Sequence, residues 1–593
     1  MPQIQNKLSQ FWQELKHRRV IHVITVYATA SFVIIELVTN LAEPLNLPAR
    51  LPTIAIVVLA IVFPLVVILS WLYDLTSEGI EKTKPLSEIQ EGKKPAVPNA
   101  WRIATYVGFA VIVGLVTLNI MGGTKQLWAK DIQSLLILPV KNVTGDAQLD
   151  WFAEGMHASL IHDIGIVSGF NVLNRTSACV YKNDDKSLQE IASETNHDIV
   201  IKPEILCLGD SICFLVEVIQ PFPREKTLWI EEYREARSKI PNLINRLTRQ
   251  IAEEVKIDLT ETEEQILAEL RTVDTEAFAA YTRGLLNLDR IDRIGLQKAS
   301  EYFKLAIKIE PSWAPPYAGL AMVGAYQMQM SFQMPEDARQ IIYKNLNTAL
   351  ELDPNSADSH YAKAVIAVWT EWNWEKGEEE FNKSLELNQS NALCRMFYAH
   401  LLNILHRPEE AKYQAELAFN LDPHRPFILG LYGALMKQMG DYQSAINYYQ
   451  DALRIDPNHR FAIVGLAVSY KRIGEYDKWL EELKKLKREW WDGDYMAKHQ
   501  KVLHEQGYLA MVEWTIKVEE EAAKENANNL ALFWKYVAVK HFDKAMDNLE
   551  KRYEMHDPNM AYLSTCDFYV DQLKDNPRYI ELLKKMNLPL PEN

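Results

Sequence analysis

Three long apolar runs dominate the first 122 residues of the chain, at 20–41, 51–73 and 104–121. Each run is 18 to 23 residues long. An α-helix rises about 1.5 Å per residue and needs about 20 residues to cross the hydrocarbon core of a bilayer. Because a backbone inside lipid must satisfy its own hydrogen bonds, the pattern predicts three transmembrane helices.

Lysine and arginine flank these runs unequally. Nine basic residues lie before the first run or between the second and third, and three lie in the other two flanks. Since cytoplasmic segments carry the excess of basic residues, an amphipathic leader at 1–19 and a loop at 74–102 are predicted to be cytoplasmic. The body after residue 122 is then expected in the periplasm of a bacterium, with the three helices in the inner membrane. The alternative is that the third run is a buried helix of a soluble domain, which would leave the body in the cytoplasm.

After residue 130 the apolar pattern changes to that of a small α/β domain, which we place at 131–258. Strand-type runs and segments with helical spacing follow one another along this stretch. The last three strand-type runs alternate in places, as at Phe214, Val216 and Val218, and predict an antiparallel meander. The pattern therefore predicts helices packed on a mixed sheet.

From residue 262 to residue 593 the sequence has helical spacing and an internal repeat. A motif of alanine, an aromatic residue, alanine and proline recurs in register. Two copies are Ala299, Phe303, Ala306 and Pro311, and Ala445, Tyr449, Ala452 and Pro457. Small residues let two antiparallel helices approach closely, and the proline ends each second helix. The recurring register predicts an α-solenoid of stacked helix pairs.

The helical half resembles a tetratricopeptide-repeat (TPR) array, and residues 134–237 resemble the TolB-like domain that precedes such arrays in many bacterial proteins. The stretches that carry the second resemblance are Ile137–Val140, Asp150–Gly155, Val172–Thr176 and Trp229–Arg234. Glu14–Arg19 and Leu72–Ile80 are similar to the membrane leader of the same proteins. The resemblance implies a multi-domain, mostly α, membrane-anchored TPR protein with a TolB-like domain.

Composition and motifs argue for binding rather than catalysis. The net charge of −15, without a basic stripe, argues against a nucleic acid partner. No glycine-rich phosphate loop, HExxH motif or paired CxxC motif occurs, so we expect no catalytic residues, no cofactor and no metal site. His157 and His162 are five residues apart and so lie on different faces of a helix. The sequence predicts that the chain is not an enzyme.

Two residue pairs nevertheless stand out as candidates for chemistry or contact. Five cysteines do not make a disulfide framework in a chain of this length. However, Cys207 and Cys213 flank a Gly-Asp-Ser turn that would place them opposite each other on a hairpin, so they are a candidate disulfide. Trp490 and Trp491 are adjacent where the repeat is weakest, and they are a candidate exposed aromatic pair of the TPR region.

Stacked helix pairs form an extended concave surface that holds peptides or partner domains. We therefore expect a non-catalytic protein–protein interaction scaffold, or a sensor or regulatory component. It would bind a protein or peptide partner through the concave TPR surface, with the lipid bilayer as its anchor. One alternative is a degenerate or accessory subunit of a nucleotide-cyclase-type signalling enzyme, because some members of the resembling group carry a cyclase domain. Another is a transmembrane regulator whose signal passes through the loop at 74–102.

Overall fold

The computed structural model describes most of the chain after residue 132. The described residues are 133–591 except 147–149, 183, 269–272, 331, 333–334, 487–492, 524–531 and 566–570, together with 73–76, 79–82 and a few residues between 23 and 64. The chain divides into two compact units, 1–130 and 131–593. In the first unit, β1 (Tyr73–Thr76) and β2 (Gly79–Lys82) form an antiparallel pair.

The prediction of three transmembrane helices is wrong for the part of the chain that the structure describes. No helix within that part is both long and apolar enough to cross a membrane. The longest, Pro335–Leu352, has 18 residues, five of them charged. The strongly apolar Pro426–Gln438 has 13 residues, or about 20 Å, which is shorter than the hydrocarbon core of about 30 Å. The predicted multi-pass inner-membrane localisation with a periplasmic body does not fit this finding and is corrected with it.

Much of the predicted membrane region lies outside the described residues. The leader at 1–19 and the third run at 104–121 fall there completely, as does most of 20–41 and 51–73. The strand pair β1–β2 occupies the end of the second run and the beginning of the predicted loop at 74–102.

The second unit begins with an α/β domain whose sheet has the strand order β5–β3–β6–β7–β8, with β4 beside β6. Its strands are β3 (Gln133–Ile137), β4 (Lys141–Asn142), β5 (Phe170–Val172), β6 (Ile199–Leu208), β7 (Ser211–Gln220) and β8 (Lys226–Ala236). Its helices are α1 (Asp150–Ile164), α2 (Arg175–Ala178), α3 (Leu188–Thr195) and α4 (Ile240–Glu254). β3 pairs in parallel with β5 and β6, whereas β6, β7 and β8 form the antiparallel meander that the alternation predicted.

Two apolar cores lie on the two faces of this sheet. Successive side chains of a strand point to opposite faces, so Leu135 enters one core and its neighbour Leu136 enters the other. The larger core includes Phe152 of α1 and Leu243 of α4. The smaller core includes Ile191 of α3. Apolar cores therefore lie on both faces of the sheet, and β5 and β8 are its edge strands.

The rest of the chain is an α-solenoid. Its helices are α5 (Glu261–Ala268), α6 (Thr275–Leu288), α7 (Arg293–Ile309), α8 (Pro315–Gln329), α9 (Pro335–Leu352), α10 (Ala357–Trp369), α11 (Trp374–Leu387), α12 (Ala392–Ile404), α13 (Pro408–Leu421), α14 (Pro426–Gln438), α15 (Tyr442–Ile455), α16 (Arg460–Arg472), α17 (Tyr476–Lys485), α18 (Gly493–Gln506), α19 (Tyr508–Ala523), α20 (Phe533–Ala538), α21 (Phe542–Glu554) and α22 (Pro577–Lys585). From α6 to α17 consecutive helices pack in pairs. The first helices of the pairs (α6, α8, α10, α12, α14 and α16) also contact one another in order, and we call them the inner layer.

Aromatic side chains of the second helices fill the space between inner-layer helices. Phe303 of α7 is fully buried, and a Cβ atom added at Gly284 or Gly319 would lie 2.5 or 2.7 Å from its ring. Tyr449 of α15 is likewise buried, and a Cβ atom at Gly465 would lie 2.2 Å from it. The aromatic position of the sequence repeat is therefore a wedge that requires small residues on the facing helix.

The carboxy-terminal part of the chain folds back onto the inner layer. A 3-10 turn at Pro558–Tyr562 contacts α8 and α10. The indole Nε1 of Trp374 donates a hydrogen bond to the carbonyl oxygen of Met586 at 2.8 Å. The hydroxyl of Ser564 donates to the carbonyl oxygen of Ile404 at 3.3 Å. Part of the surface that an open solenoid would offer to a partner is thus filled by the chain itself.

Candidate functional site

The α/β domain docks on the loops that lead into the inner-layer helices. The backbone N–H of Asn174 donates to the carbonyl oxygen of Leu421 at 2.8 Å, and its side-chain amide donates to the carbonyl oxygen of Ser390 at 2.9 Å. The Ser390 hydroxyl also accepts from the N–H of Val172 and donates to the carbonyl of Phe170, both at 3.2 Å. Since β5 is an edge strand, this hydroxyl takes the place of a neighbouring strand.

Two arginines and two aspartates meet where the domain touches the solenoid, and we call them, with Ser177, the interdomain cluster. Arg175 of α2 donates to the carboxylate of Asp289, which also accepts from Arg425 at 3.1 Å. Asp422 accepts from the backbone N–H of Ser177 at 3.2 Å and from its hydroxyl at 2.6 Å. Positive and negative charges alternate along the cluster, from Arg175 through Asp289 and Arg425 to Asp422, so that each buried charge has a neighbour of opposite sign.

The two carboxylates of the cluster differ in their acidity. Burial by itself would raise the pKa of Asp289, but Arg175 and Arg425 outweigh that effect and hold it below its ordinary value. Burial raises the pKa of Asp422 to about 6, because Arg425 and Ser177 offset burial only in part. The second oxygen, Oδ2, of Asp422 has no hydrogen-bond partner among the described residues and lies 3.8 Å from Nη1 of Arg425.

Two cavities lie beside the cluster, between the α/β domain and the inner layer. The first has a volume of about 310 Å³ and is bounded by α1, α4 and α5 on one side and α6, α8 and α10 on the other. The second, of about 190 Å³, is lined by the two arginines and two aspartates of the interdomain cluster and by Tyr326 and Tyr361, whose hydroxyls are 3.1 Å apart. Since both cavities include His162, Tyr281 and Asp358 in their walls, we treat them as one interdomain cleft.

The walls of the first cavity combine aromatic rings with carboxylates. The ring centroids of Tyr281 and Trp313 are 4.8 Å apart, and those of Phe278 and Trp313 are 6.3 Å apart. The carboxylates in these walls are Asp163, Asp353 and Asp358. No lysine or arginine is found among the described residues that line this cavity. Its chemistry is therefore that of an acidic, aromatic pocket.

The two histidines singled out in the sequence have separate surroundings. His157 is buried, its Nε2–H group donates to the carbonyl oxygen of Ile137 at 2.9 Å, and burial lowers its pKa to about 4. His162 lines the interdomain cleft instead. The described residues contain no group of three histidines, cysteines or acidic residues arranged to hold a metal ion. The two histidines therefore do not form a common site.

Of the two candidate pairs from the sequence, the structure describes only the cysteines. Cys207 and Cys213 face each other across the β6–β7 hairpin, with their Cα atoms 4.8 Å apart and their sulfur atoms bonded. The oxidised state of the pair in the protein stays a prediction. Trp490 and Trp491 lie outside the described residues.

Sequence reasoning missed the interdomain cluster. Arg175 belongs to a stretch whose sequence signal is its resemblance to other proteins, and Asp422 directly precedes Pro423, a repeat-ending proline. Charged residues at the ends of otherwise apolar helices, such as Asp289 and Arg425, were the available indication. Nothing in their local spacing shows that they meet.

Comparison with known proteins identifies the repeats. Residues 426–459, which include α14 and α15, match the tetratricopeptide repeat family. The putative adenylate cyclase 3 of Rhizobium meliloti is 24% identical over 246 residues, which are 41% of this chain and 41% of that protein. The type IV pilus assembly protein PilF of Pseudomonas aeruginosa is 33% identical over 134 residues, which are 22% of this chain and 52% of PilF. The matches span about half of these relatives or less.

Among solved structures, the chain is similar to YrrB, described as a TPR protein with an unusual peptide-binding site. The identity is 22%, the TM-score is 0.22, and the match covers 34% of this chain and 99% of YrrB.

Proposed function

We propose, from the premise that this chain is a tetratricopeptide-repeat protein built as an α-solenoid, that it is a protein–protein interaction scaffold. The partner, a protein or a peptide, would contact the inner layer and enter the interdomain cleft. The observation that carries the proposal is the cleft itself: inner-layer helices form one wall and the α/β domain forms the other. Ligand sites occur preferentially at such domain interfaces.

The chemistry around the cleft also favours binding over catalysis. Among the described residues, the pair that most resembles a nucleophile and its base is Cys179 and His157, whose Sγ and Nδ1 atoms are 3.9 Å apart. Burial raises the pKa of the Cys179 thiol and lowers the pKa of His157 to about 4. Both groups are therefore neutral at pH 7, whereas nucleophilic catalysis by cysteine needs the thiolate.

Site-specific crosslinking tests the scaffold function. A photoreactive amino acid at Asn355, an exposed residue in the wall of the first cavity, should crosslink a protein in extracts of the native cell. The same amino acid at Tyr413, which is 60% exposed on the second helix α13, is the matched control. Equal crosslinking at both positions, or none at Asn355, would contradict a partner in the cleft.

A second candidate is a degenerate or accessory subunit of a nucleotide-cyclase-type signalling enzyme. The similarity to a putative adenylate cyclase over 41% of this chain favours it. The test is to incubate the full chain with ATP and Mg²⁺, and to assay any cyclase activity that co-purifies with it from the native cell. Cyclic nucleotide production by the chain, or by a stoichiometric complex containing it, would support this candidate.

A further inference from the structure

The repeats already hold one arginine-bearing segment, and that segment belongs to this chain. In the stretch 174–177, the side chain of Arg175 binds the carboxylate at the end of α6, and Asn174 binds two backbone carbonyl groups of the solenoid. Ser177 completes the contact through Asp422. The segment thus occupies the solenoid as a short peptide would, with its guanidinium group paired to an inner-layer carboxylate.

The cleft beside this segment has acidic groups in excess. Five aspartates line its two cavities, against two arginines and no lysine among the described residues: Asp163, Asp289, Asp353, Asp358 and Asp422, with Arg175 and Arg425. Both arginines lie in the second cavity, and the described walls of the first contain three aspartates and His162 but no lysine or arginine. A cationic group entering the first cavity would therefore meet mainly carboxylates among the described residues.

An acceptor is also left without a hydrogen bond in the second cavity. Asp422 is completely buried, and its Oδ2 atom has no hydrogen-bond partner among the described residues. A buried acceptor without a donor is costly, and because the two cavities share Asp358 in their walls, a ligand rich in N–H groups that extends from the first cavity into the second would remove that cost. A guanidinium group carries five such donors in a planar fork.

We propose that the interdomain cleft binds an arginine side chain of the partner, presented on an extended peptide segment. This inference rests on the proposed scaffold function and names the chemistry that the scaffold recognises. The carboxylate of Asp358, which lines both cavities, accepts the guanidinium N–H groups, and the rings of Tyr281 and Trp313 offer faces on which the guanidinium stacks. The partner's arginine thereby repeats, one cavity further along, the contact that Arg175 makes with Asp289.

The dimensions of the cleft agree with such a ligand. The volume of the first cavity, about 310 Å³, falls at the lower end of the roughly 300–1,000 Å³ typical of ligand sites. Asn355 in its wall is exposed, so a side chain can enter from the surface while its backbone remains outside.

Calorimetric titration of the full chain tests the proposal. The probe is acetyl-Gly-Arg-Gly-amide, and its counterpart has citrulline, the uncharged isostere, in place of arginine. We expect saturable binding of the arginine peptide and binding of the citrulline peptide that is about tenfold weaker or absent, because charge-assisted hydrogen bonds are lost. Agmatine, a free guanidinium compound, is titrated in parallel; tighter binding of agmatine than of the peptide would assign the site to a small molecule and overturn the peptide assignment.

Substitutions in the cleft test whether the arginine peptide binds there. Asp358→Asn should weaken the arginine peptide about tenfold. The control is Asp543→Asn, the same change at an exposed residue in the first turn of α21, outside the cleft, and it should leave binding unchanged. Asp163→Asn is a second cleft variant. Asp163 lies in the last turn of α1, where a negative charge opposes the helix dipole, so its removal should not weaken the helix itself.

The outcomes separate this inference from the scaffold proposal. Equal binding of the arginine and citrulline peptides, or unchanged binding in both cleft variants, would overturn the arginine site. If a partner still crosslinks at Asn355 in that case, the proposed scaffold function is retained, and the cleft recognises a group other than arginine. If both experiments fail, the cleft is not a binding site.

Discussion

Ser177 donates two hydrogen bonds to the carboxylate of Asp422, although 245 positions separate the two residues in the sequence. One belongs to the α/β domain and the other to the loop before α14. The contact is buried at both ends, since Ser177 and Asp422 are each 0% exposed. Attachment of the domain to the solenoid therefore depends on polar groups that water cannot replace.

Replacing Ser177 with alanine should destabilise the protein. The buried Asp422 carboxylate would lose the hydroxyl donor, which costs about 1–3 kcal/mol. Urea denaturation would measure the free energy of unfolding, and hydrogen exchange should show lower protection of the backbone at 174–177. Ser193→Ala, at an exposed position of α3, is the control and should change stability by less than about 0.5 kcal/mol. Equal stability of the two variants would show that the contact is unimportant.

Replacing Gly465 with alanine should disturb the packing of α15 against α16. The new Cβ atom would lie 2.2 Å from the ring of Tyr449, and overpacking of this kind costs about 1–3 kcal/mol. Gly209→Ala is the control, because nothing lies within 4 Å of the added atom at that position. Thermal denaturation should show a lower Tm for the Gly465 variant only. A variant that also carries Tyr449→Leu should recover part of the loss.

Stability should fall as the pH drops from about 6.5 to about 4. Burial lowers the pKa of His157, His197, His400 and His499 to about 4 each. In this range the unfolded chain binds protons at these histidines and the folded chain does not, so acid favours unfolding. Asp422 acts in the opposite sense, since its pKa is raised to about 6 and its proton is kept in the folded state. The four histidines together bind more protons on unfolding than Asp422 releases, so the net effect of acid is to lower the free energy of unfolding.

Urea denaturation at about pH 7 and about pH 5 measures this dependence. His400→Gln should reduce the difference between the two values, because it removes one of the four histidines while an amide can still donate to the carbonyl oxygen of Leu431. A difference that stays the same in the variant would contradict a neutral, buried His400. His504→Gln, at an exposed histidine, is the matched control.

Cys207 and Cys213 should be found as a disulfide when the protein is isolated under oxidising conditions. Mass spectrometry after denaturation and alkylation without reductant should show label on Cys179 and Cys394, which are free thiols, and none on the pair. Reduction should add two labels and lower stability by about 2 kcal/mol, the loop-closure effect expected for a short loop. Labelling of the pair before reduction would reject the disulfide.

The register of the repeat was the most predictable feature of the fold. The spacing predicts that Phe303 and Tyr449 are aromatic positions of the repeat, and both side chains are buried between two inner-layer helices. The alternation at Phe214 likewise predicted a strand of the meander. Periodicity succeeds in such cases because it reports on contacts within one element and between its sequence neighbours.

The interdomain cluster and the membrane prediction show where periodicity is insufficient. The contact of Arg175 with Asp289 joins residues 114 positions apart, and it depends on how whole elements assemble. The transmembrane prediction rested on the length and apolar content of three runs, most of whose residues lie outside the part of the chain that the structure describes. Length and charge decide whether a helix can cross a bilayer, and no described helix satisfies both conditions.

The capping of β5 by Ser390 makes the two halves of the second unit mutually dependent. A fragment ending at residue 258 would lose the hydroxyl that satisfies Val172 and Phe170. Its sheet would then present a second unpaired edge, β5, in addition to β8, and exposed edges of this kind promote self-association into aggregates. The helical repeats therefore protect the edge strand β5 of the α/β domain from pairing with a strand of another copy.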